Sequence, residues 1–516
     1  MVEFNFSKAQ IGISDYEIFG YTCRRSMMGR VNIQGRIAME HTTVIQVENV
    51  YGRVISTDMD LIDILHQKLR FRPPNFWHNP LYKKKIWDGW EEFFKPKTGR
   101  FLAGLLPEVM AALRVLGKTY QLVDNRQPTK WLHDSIDDQF LNQWLPEGTE
   151  KFTLHDFQPF LANKCFMYNR GIVQAPTGAG KTYILVSILK SLPPKTPVLF
   201  LTKNATLVHQ NWEEMKMWGV ENLGRWYDKY KEPNFVICGT VHKATFESLK
   251  DLLPKFKVLL VDEVHDCVSD IPIAAYKKMT SAAIRIGFSA TPFKYNKTKI
   301  DQVHKYSVKG HFGAVIKAKD GVLTTKELQD RNILSSSDCF FYPIDRPNLI
   351  HEPYIDAVKL GIEQNFYFHD VIKKLTATCP GRTLIVVERI EQGNYLEQLI
   401  PGSKFIQGND SLKEREPILD ALKAGDRSVA IVMRQIITAG VNVKIHDLIN
   451  AAGGDSAHNV IQLMGRGLRK AGDKTNLRYH DFMFLNNPYL NKHSEWRIEV
   501  LKKEGHSVTV LDSAEF

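Results

Sequence analysis

Between residues 150 and 300 the chain repeats one unit: a short apolar run, then a longer stretch with apolar residues at helical spacing. The runs fall at 171–175, 197–201, 234–238, 257–261 and 284–288. Short apolar runs without polar alternation suit strands covered on both faces, and their alternation with helices predicts a parallel, doubly wound sheet. A second set at 383–387, 404–407, 428–432 and 447–451 predicts a second such sheet, after a less regular stretch to about residue 335. Upstream, Leu61 to Leu69 reads as an amphipathic helix and Pro107 to Gly117 as another. Residues 126–150 are polar, carry Pro128, Pro146 and Gly148, and read as a connector. A chain of 516 residues exceeds the size at which one core stops growing. The expected α/β architecture is therefore a small N-terminal α+β domain at 1–125, the connector, and two lobes at 151–320 and 321–516.

The first run leads into Ala175-Pro176-Thr177-Gly178-Ala179-Gly180-Lys181-Thr182, and a helical pattern follows from Tyr183. A strand, a glycine-rich turn and a helix form the setting of a phosphate-binding loop. Gly178 and Gly180 let the backbone turn its N–H groups around an anion, and the helix directs its positive end at the same place. Lys181 supplies charge for the β- and γ-phosphates of ATP, and the Thr182 hydroxyl can ligate Mg²⁺. The first position is Ala175 where the general pattern has glycine.

The run Lys257 to Val261 delivers Asp262-Glu263-Val264-His265 at its C-terminal end. There Asp262 is a candidate to hold the Mg²⁺ of MgATP, and Glu263 to polarise the attacking water. Near the C-terminus, Gln462, Arg466 and Arg469 are four and three residues apart and share one face of a helix. In a chain that hydrolyses ATP these arginines are candidates for arginine fingers.

Together these motifs resemble the superfamily 2 helicases over residues 150 to 510. Leu154-His-Asp-Phe-Gln158 is similar to the family's adenine-recognising segment, Thr202 and Lys203 with the helix around Gln210 and Trp212 to the first strand-contacting motif, and Gly239-Thr240-Val241-His242 to the second. Ser289-Ala-Thr-Pro292 resembles the motif that couples the nucleotide site to nucleic acid, Thr438-Ala-Gly-Val-Asn442 the fifth motif, and Gln462 to Arg469 the sixth. The resemblance implies two tandem RecA-like lobes with ATP in the cleft between them. Gln158, Gly440 and Asn442 would meet the nucleotide, and Thr202, Lys203, Gln210, Gly239, Thr240 and Thr438 the nucleic acid. The motor would act as a monomer.

The net charge of +11 fits a polyanionic partner. No apolar run approaches the roughly 20 residues that cross a bilayer, and the six cysteines show no close pairs. With Glu3 and alternating polar residues at the start, no secretory leader is expected, so the cytoplasm, of a host if the chain is phage-encoded, is the expected compartment. In the N-terminal region Phe71 to Trp77 and Tyr82-Lys83-Lys84-Lys85-Ile86-Trp87-Asp-Gly89 interleave lysines with aromatics, a pattern that holds phosphates while a ring stacks on a base. The alternative is a solvated turn over packed rings. The Trp-Asp-Gly segment resembles the small N-terminal domain of phage recombination helicases, which implies single-stranded, forked or junction DNA as substrate. An RNA helicase of the DExH type and a duplex translocase are the other readings.

Overall fold

The computed structural model describes residues 43–512 except 146, 297–298, 320, 322, 408–411, 425–427, 439–444 and 469–475. Its three larger sheets each carry a separate body. The N-terminal sheet has the strand order Phe94–Lys95, Arg100–Leu102, Tyr51–Ile55, Thr43–Val47, Tyr120–Asp124. Only the last pair is parallel. Helices Met59–Lys68 and Leu106–Val115 supply Leu61, Leu65, Val109 and Leu113 to a core shared with Ile45, Val54 and Phe101. Asp58 caps the first helix, accepting a 3.0 Å bond from the Leu61 amide, which satisfies one of its orphan N–H groups.

The second sheet has eight strands in the order Tyr230–Lys231, Leu223–Tyr227, Val236–Thr240, Val198–Thr202, Val258–Val261, Ile284–Ser289, Arg170–Gln174, Val315–Ile316. All neighbours are parallel except the first pair. Its central strands are buried at every position, which is why they read as unbroken apolar runs. Helix Lys181–Lys190 is also covered all round, with Ile184 to Leu189 buried. Part of the expected connector is a strap on this body: Ile136, Phe140 and Leu141 enter its core, and Trp131 Nε1 donates to Asn169 Oδ1 at 2.9 Å.

The third sheet has seven strands, all parallel, in the order Phe405–Ile406, Val429–Met433, Thr383–Val387, Asp447–Asn450, Asn476–Phe484, Ser336–Ile344, Ser507–Val510. The expected α/β fold with two parallel-sheet lobes is therefore what the chain adopts. Two nine-residue strands, Ser336–Ile344 and Asn476–Phe484, stand in addition to those legible in the sequence. The first has its polar Ser336 and Asp338 exposed, and the second buries an ion pair: Arg497 grips Asp481 with two bonds, at 2.8 and 3.0 Å, and Asn450 donates to the same carboxylate at 2.9 Å. Among the described residues, no helix is long and apolar enough to cross a membrane.

Candidate active site

The parallel strands of the first lobe end together, and each turn beyond its strand carries one of the motifs. Strand Arg170–Gln174 runs into the phosphate loop, Val258–Val261 into Asp262, and Ile284–Ser289 into Ser289. Ligands of such sheets gather at this carboxyl edge. Gly178 and Gly180 both hold positive φ, 86° and 75°, as a loop closing its amides round an anion requires. At Gly180 a Cβ would also overlap the Gln158 amide. Lys181 opens the helix and folds its Nζ back onto the carbonyls of Ala175 and Pro176, at 3.3 and 3.4 Å.

A cavity of about 670 Å³ extends from this loop. Gln158, Thr177, Gly178, Gly180, Lys181 and Thr182 line it with Asp262 and Glu263, and Leu334 and Arg466 reach it from beyond the first lobe. Pro176 and Ala179 are buried in the loop behind. Burial, and then the charge of Glu263, push the Asp262 carboxyl up to about 6, with Lys181 and Arg466 pulling it back. Burial likewise lowers the Arg466 guanidinium, which Glu263 and Asp262 hold in the charged form. Among the described residues, Arg466 Nε and Thr177 Oγ1 are buried without a hydrogen-bond partner. A buried carboxylate whose charge is penalised, next to Glu263 and sharing the cavity with an arginine that has an unused donor and an anion-cradling loop, fits a nucleotide phosphate with a divalent cation. The hinge of this set is unusual. Glu263 adopts φ 46° and ψ 51°, and one short turn, Val264–Asp266, follows it.

The other expected contacts separate into groups. Gln158 reaches the cavity, but its amide donates to the Ala179 carbonyl at 2.9 Å and accepts from the His155 amide at 2.9 Å, so it braces the phosphate loop. Gln210, expected at nucleic acid, lies on the wall of the same cavity. Thr202 and Thr240 are partners on neighbouring parallel strands, both buried. Their hydroxyls turn inward, to the Asn204 carbonyl at 3.1 Å and to Thr245 Oγ1 at 2.8 Å, so neither side chain is free to grip a phosphate. Gly239 is buried beside them, whereas Lys203 is exposed and pairs with Asp266 at 2.8 Å. Gln462 is buried on helix Ala457–Gly467, one turn before Arg466. Thr438 ends helix Arg434–Thr438, and Gly440, Asn442 and Arg469 lie outside the described residues.

Lys83, Lys84 and Lys85 are exposed at the end of a single helical turn, Pro80–Lys83. Trp87, two residues further on, is half-buried, with its Nε1 donating to the Trp90 carbonyl at 2.9 Å. An aromatic group that the sequence reading passed over also lines the cavity: Phe152, Tyr183 and Trp218, with ring centroids 4.7 to 5.7 Å apart. The signal for it was an aromatic six residues before Gln158 and another directly after Thr182.

Fold and cavity together define a nucleotide-hydrolysing protein with two parallel-sheet lobes. Residues 144–294 match the family model described as the res subunit of type III restriction enzymes. The chain is 21% identical over 439 residues to the ATP-dependent DNA helicase uvsW of Enterobacteria phage T4, covering 78% of this chain and 83% of that protein. It is 22% identical over 386 residues to the DNA 3'-5' helicase XPB of Kineococcus radiotolerans, covering 70% of this chain and 65%, just under two thirds, of that one. Two solved structures share the fold at 14% identity and a TM-score of 0.51. One is a fragment of a putative HsdR subunit of a type I restriction enzyme from Vibrio vulnificus, covering 69% of this chain and 68% of that one. The other is the helicase MrfA bound to DNA, covering 75% and 53%. The ordered motifs, the family model and the likeness to these DNA helicases support an ATP-dependent helicase of superfamily 2.

Proposed function

We propose that this chain is a DNA-stimulated ATPase that translocates along DNA and unwinds or branch-migrates forks and junctions. The observation that carries this reading is the shared cavity, where Lys181, Asp262 and Glu263 of one lobe face Arg466 of the other. Lys181 and the loop amides bind the phosphates, and the Phe152, Tyr183 and Trp218 rings offer apolar cover for a base. Asp262 and Thr182 would hold Mg²⁺, which when bound neutralises charge on the phosphate oxygens. Glu263 orients the attacking water and accepts its proton, and Arg466 stabilises charge that develops on the transferring group. Because Arg466 belongs to the second lobe, turnover opens and closes the cleft, and lobes that grip a strand alternately move along it.

The relatives named as DNA helicases support DNA as the polymer. The exposed Lys83 to Lys85, close in sequence to the half-buried Trp87, support a role for the N-terminal domain in choosing the DNA structure. ATP turnover measured with single-stranded DNA, duplex, fork, four-way junction and RNA tests the proposal. Strongest stimulation by forks or junctions is expected, and stimulation by RNA alone would make this an RNA helicase.

A further inference from the structure

The left-handed conformation of Glu263 persists for a non-glycine residue only where the surroundings hold it. Contacts on the turn that follows do this. Gly287 leaves space for Val264, since a Cβ there would stand 2.9 Å from Val264 Cβ. His265 Nδ1 lies 2.8 Å from Ser289 Oγ. A further tether comes from outside the sheet, where His304 Nε2 lies 2.7 Å from the His265 carbonyl oxygen. The Lys294 amide donates to His304 Nδ1 at 3.2 Å, so Nε2 carries the hydrogen and donates it to that carbonyl. Burial lowers the His304 pKa, and the two hydrogen bonds fix the tautomer.

His304 stands in the first turn of helix Gln302–Phe312, where Asp301 accepts its amide hydrogen at 3.1 Å. The N-terminal domain docks on the same helix. Tyr306 meets Phe71 and Phe93 at ring separations of 4.4 and 5.8 Å, Lys309 pairs with Glu108, and Gly104 lies so close to the Lys309 carbonyl that no Cβ fits. Beside the helix, residues of both bodies line a cavity of about 510 Å³, among them Tyr51, Phe93, Arg100, Val268 and His304. The helix is thus held on one side by the N-terminal domain and holds the turn after Glu263 through His304.

We infer that His304 is a positioning residue for ATP hydrolysis, and that helix Gln302–Phe312 transmits the state of the N-terminal domain to Glu263. This rests on Glu263 as the hydrolytic carboxylate and on the N-terminal domain as a DNA-contacting element. DNA that displaces the domain moves the helix, and the helix moves the carbonyl that fixes the turn.

The test uses the full chain and measures ATP turnover across ATP concentrations, with and without forked DNA. Fluorescent-nucleotide affinity and thermal melting accompany it. His304→Ala is expected to lower kcat on the order of ten-fold or more while KM and nucleotide affinity stay within about two-fold, the pattern of a displaced catalytic group. His304→Gln, which restores an N–H donor of similar reach, is expected to recover most of the loss. Tyr306→Ala is expected to keep basal turnover and lose most of the stimulation by forked DNA. Wild-type kcat in His304→Ala, a Gln variant as impaired as the Ala variant, or full stimulation in Tyr306→Ala would overturn the inference. Normal turnover by Glu263→Gln would instead remove the underlying assignment, and the relay with it.

Discussion

Gly465 of the second lobe packs against Thr177 of the phosphate loop so closely that a Cβ added at Gly465 would overlap Thr177 Cβ. The same stretch of helix carries Arg466 into the candidate nucleotide cavity. A missing side chain therefore sets how closely the two lobes meet here, and in the proposed mechanism their closure brings the arginine to the phosphates.

Gly465→Ala separates closure from chemistry. Alanine favours a helix over glycine by roughly 1 kcal/mol, so the helix itself gains while the added methyl pushes on Thr177. Turnover is expected to fall at least about ten-fold with nucleotide binding to the first lobe largely kept. Unchanged turnover shows that the contact does not set closure.

Lys181→Ala is expected to abolish hydrolysis while changing stability by no more than about 1 kcal/mol, because the protein bonds of Lys181 are two long ones to loop carbonyls. Denaturant melting beside an ATPase assay decides it. Near-normal activity would remove the phosphate-loop assignment.

Asp262 links the site to pH. Its carboxyl is held up to about 6 by burial and by Glu263, above the value of about 3.9 in an unfolded chain. Between those values the folded protein binds more protons than the unfolded chain, so the stability of the nucleotide-free protein falls as pH rises through this window and stays low above it. Asp262→Asn is expected to be more stable than the wild type at pH 7.5, by on the order of 2 kcal/mol, with the gap closing toward pH 4. It is also expected to lose hydrolysis. Equal stability at pH 7.5 would contradict the strain.

The N-terminal lysines offer a cleaner test than truncation. A chain begun at Glu147 loses Ile136, Phe140 and Leu141, which belong to the core of the first lobe, and deleting the domain strips the Glu108 partner from Lys309. Replacing Lys83, Lys84 and Lys85 with Ala leaves these contacts in place. The slope of log affinity against log salt for forked DNA is expected to shrink by roughly 2 to 3, and fork preference to weaken, with DNA-free turnover unchanged. An unaltered slope places the DNA elsewhere.

The candidate nucleotide site was legible in sequence because the chemistry it proposes is local. Gly178, Gly180, Lys181 and Thr182 are consecutive or nearly so, and a strand buried on both faces announces Asp262 by its apolar run. Strand Asn476–Phe484 was not legible, since Asp481 is satisfied by Asn450 and Arg497, partners 31 and 16 residues away, so a buried polar strand looks like a loop. Thr202, Thr240 and Gln158 show a different limit: motif residues mark a place in the fold, but whether the side chain turns outward is decided by packing. His304 had no signal at all, because its partner, the His265 carbonyl, is a backbone atom.

The central claim is that hydrolysis needs groups from both lobes and that DNA controls it. Its most direct test compares ATP turnover by the wild type and by Arg466→Ala, with and without forked DNA, alongside nucleotide affinity. The wild type is expected to be stimulated by DNA, and the variant to bind ATP within a few-fold of normal while its maximum rate falls by roughly 10³ or more. A variant that turns over at the wild-type rate, or a wild type indifferent to every DNA, would contradict the account.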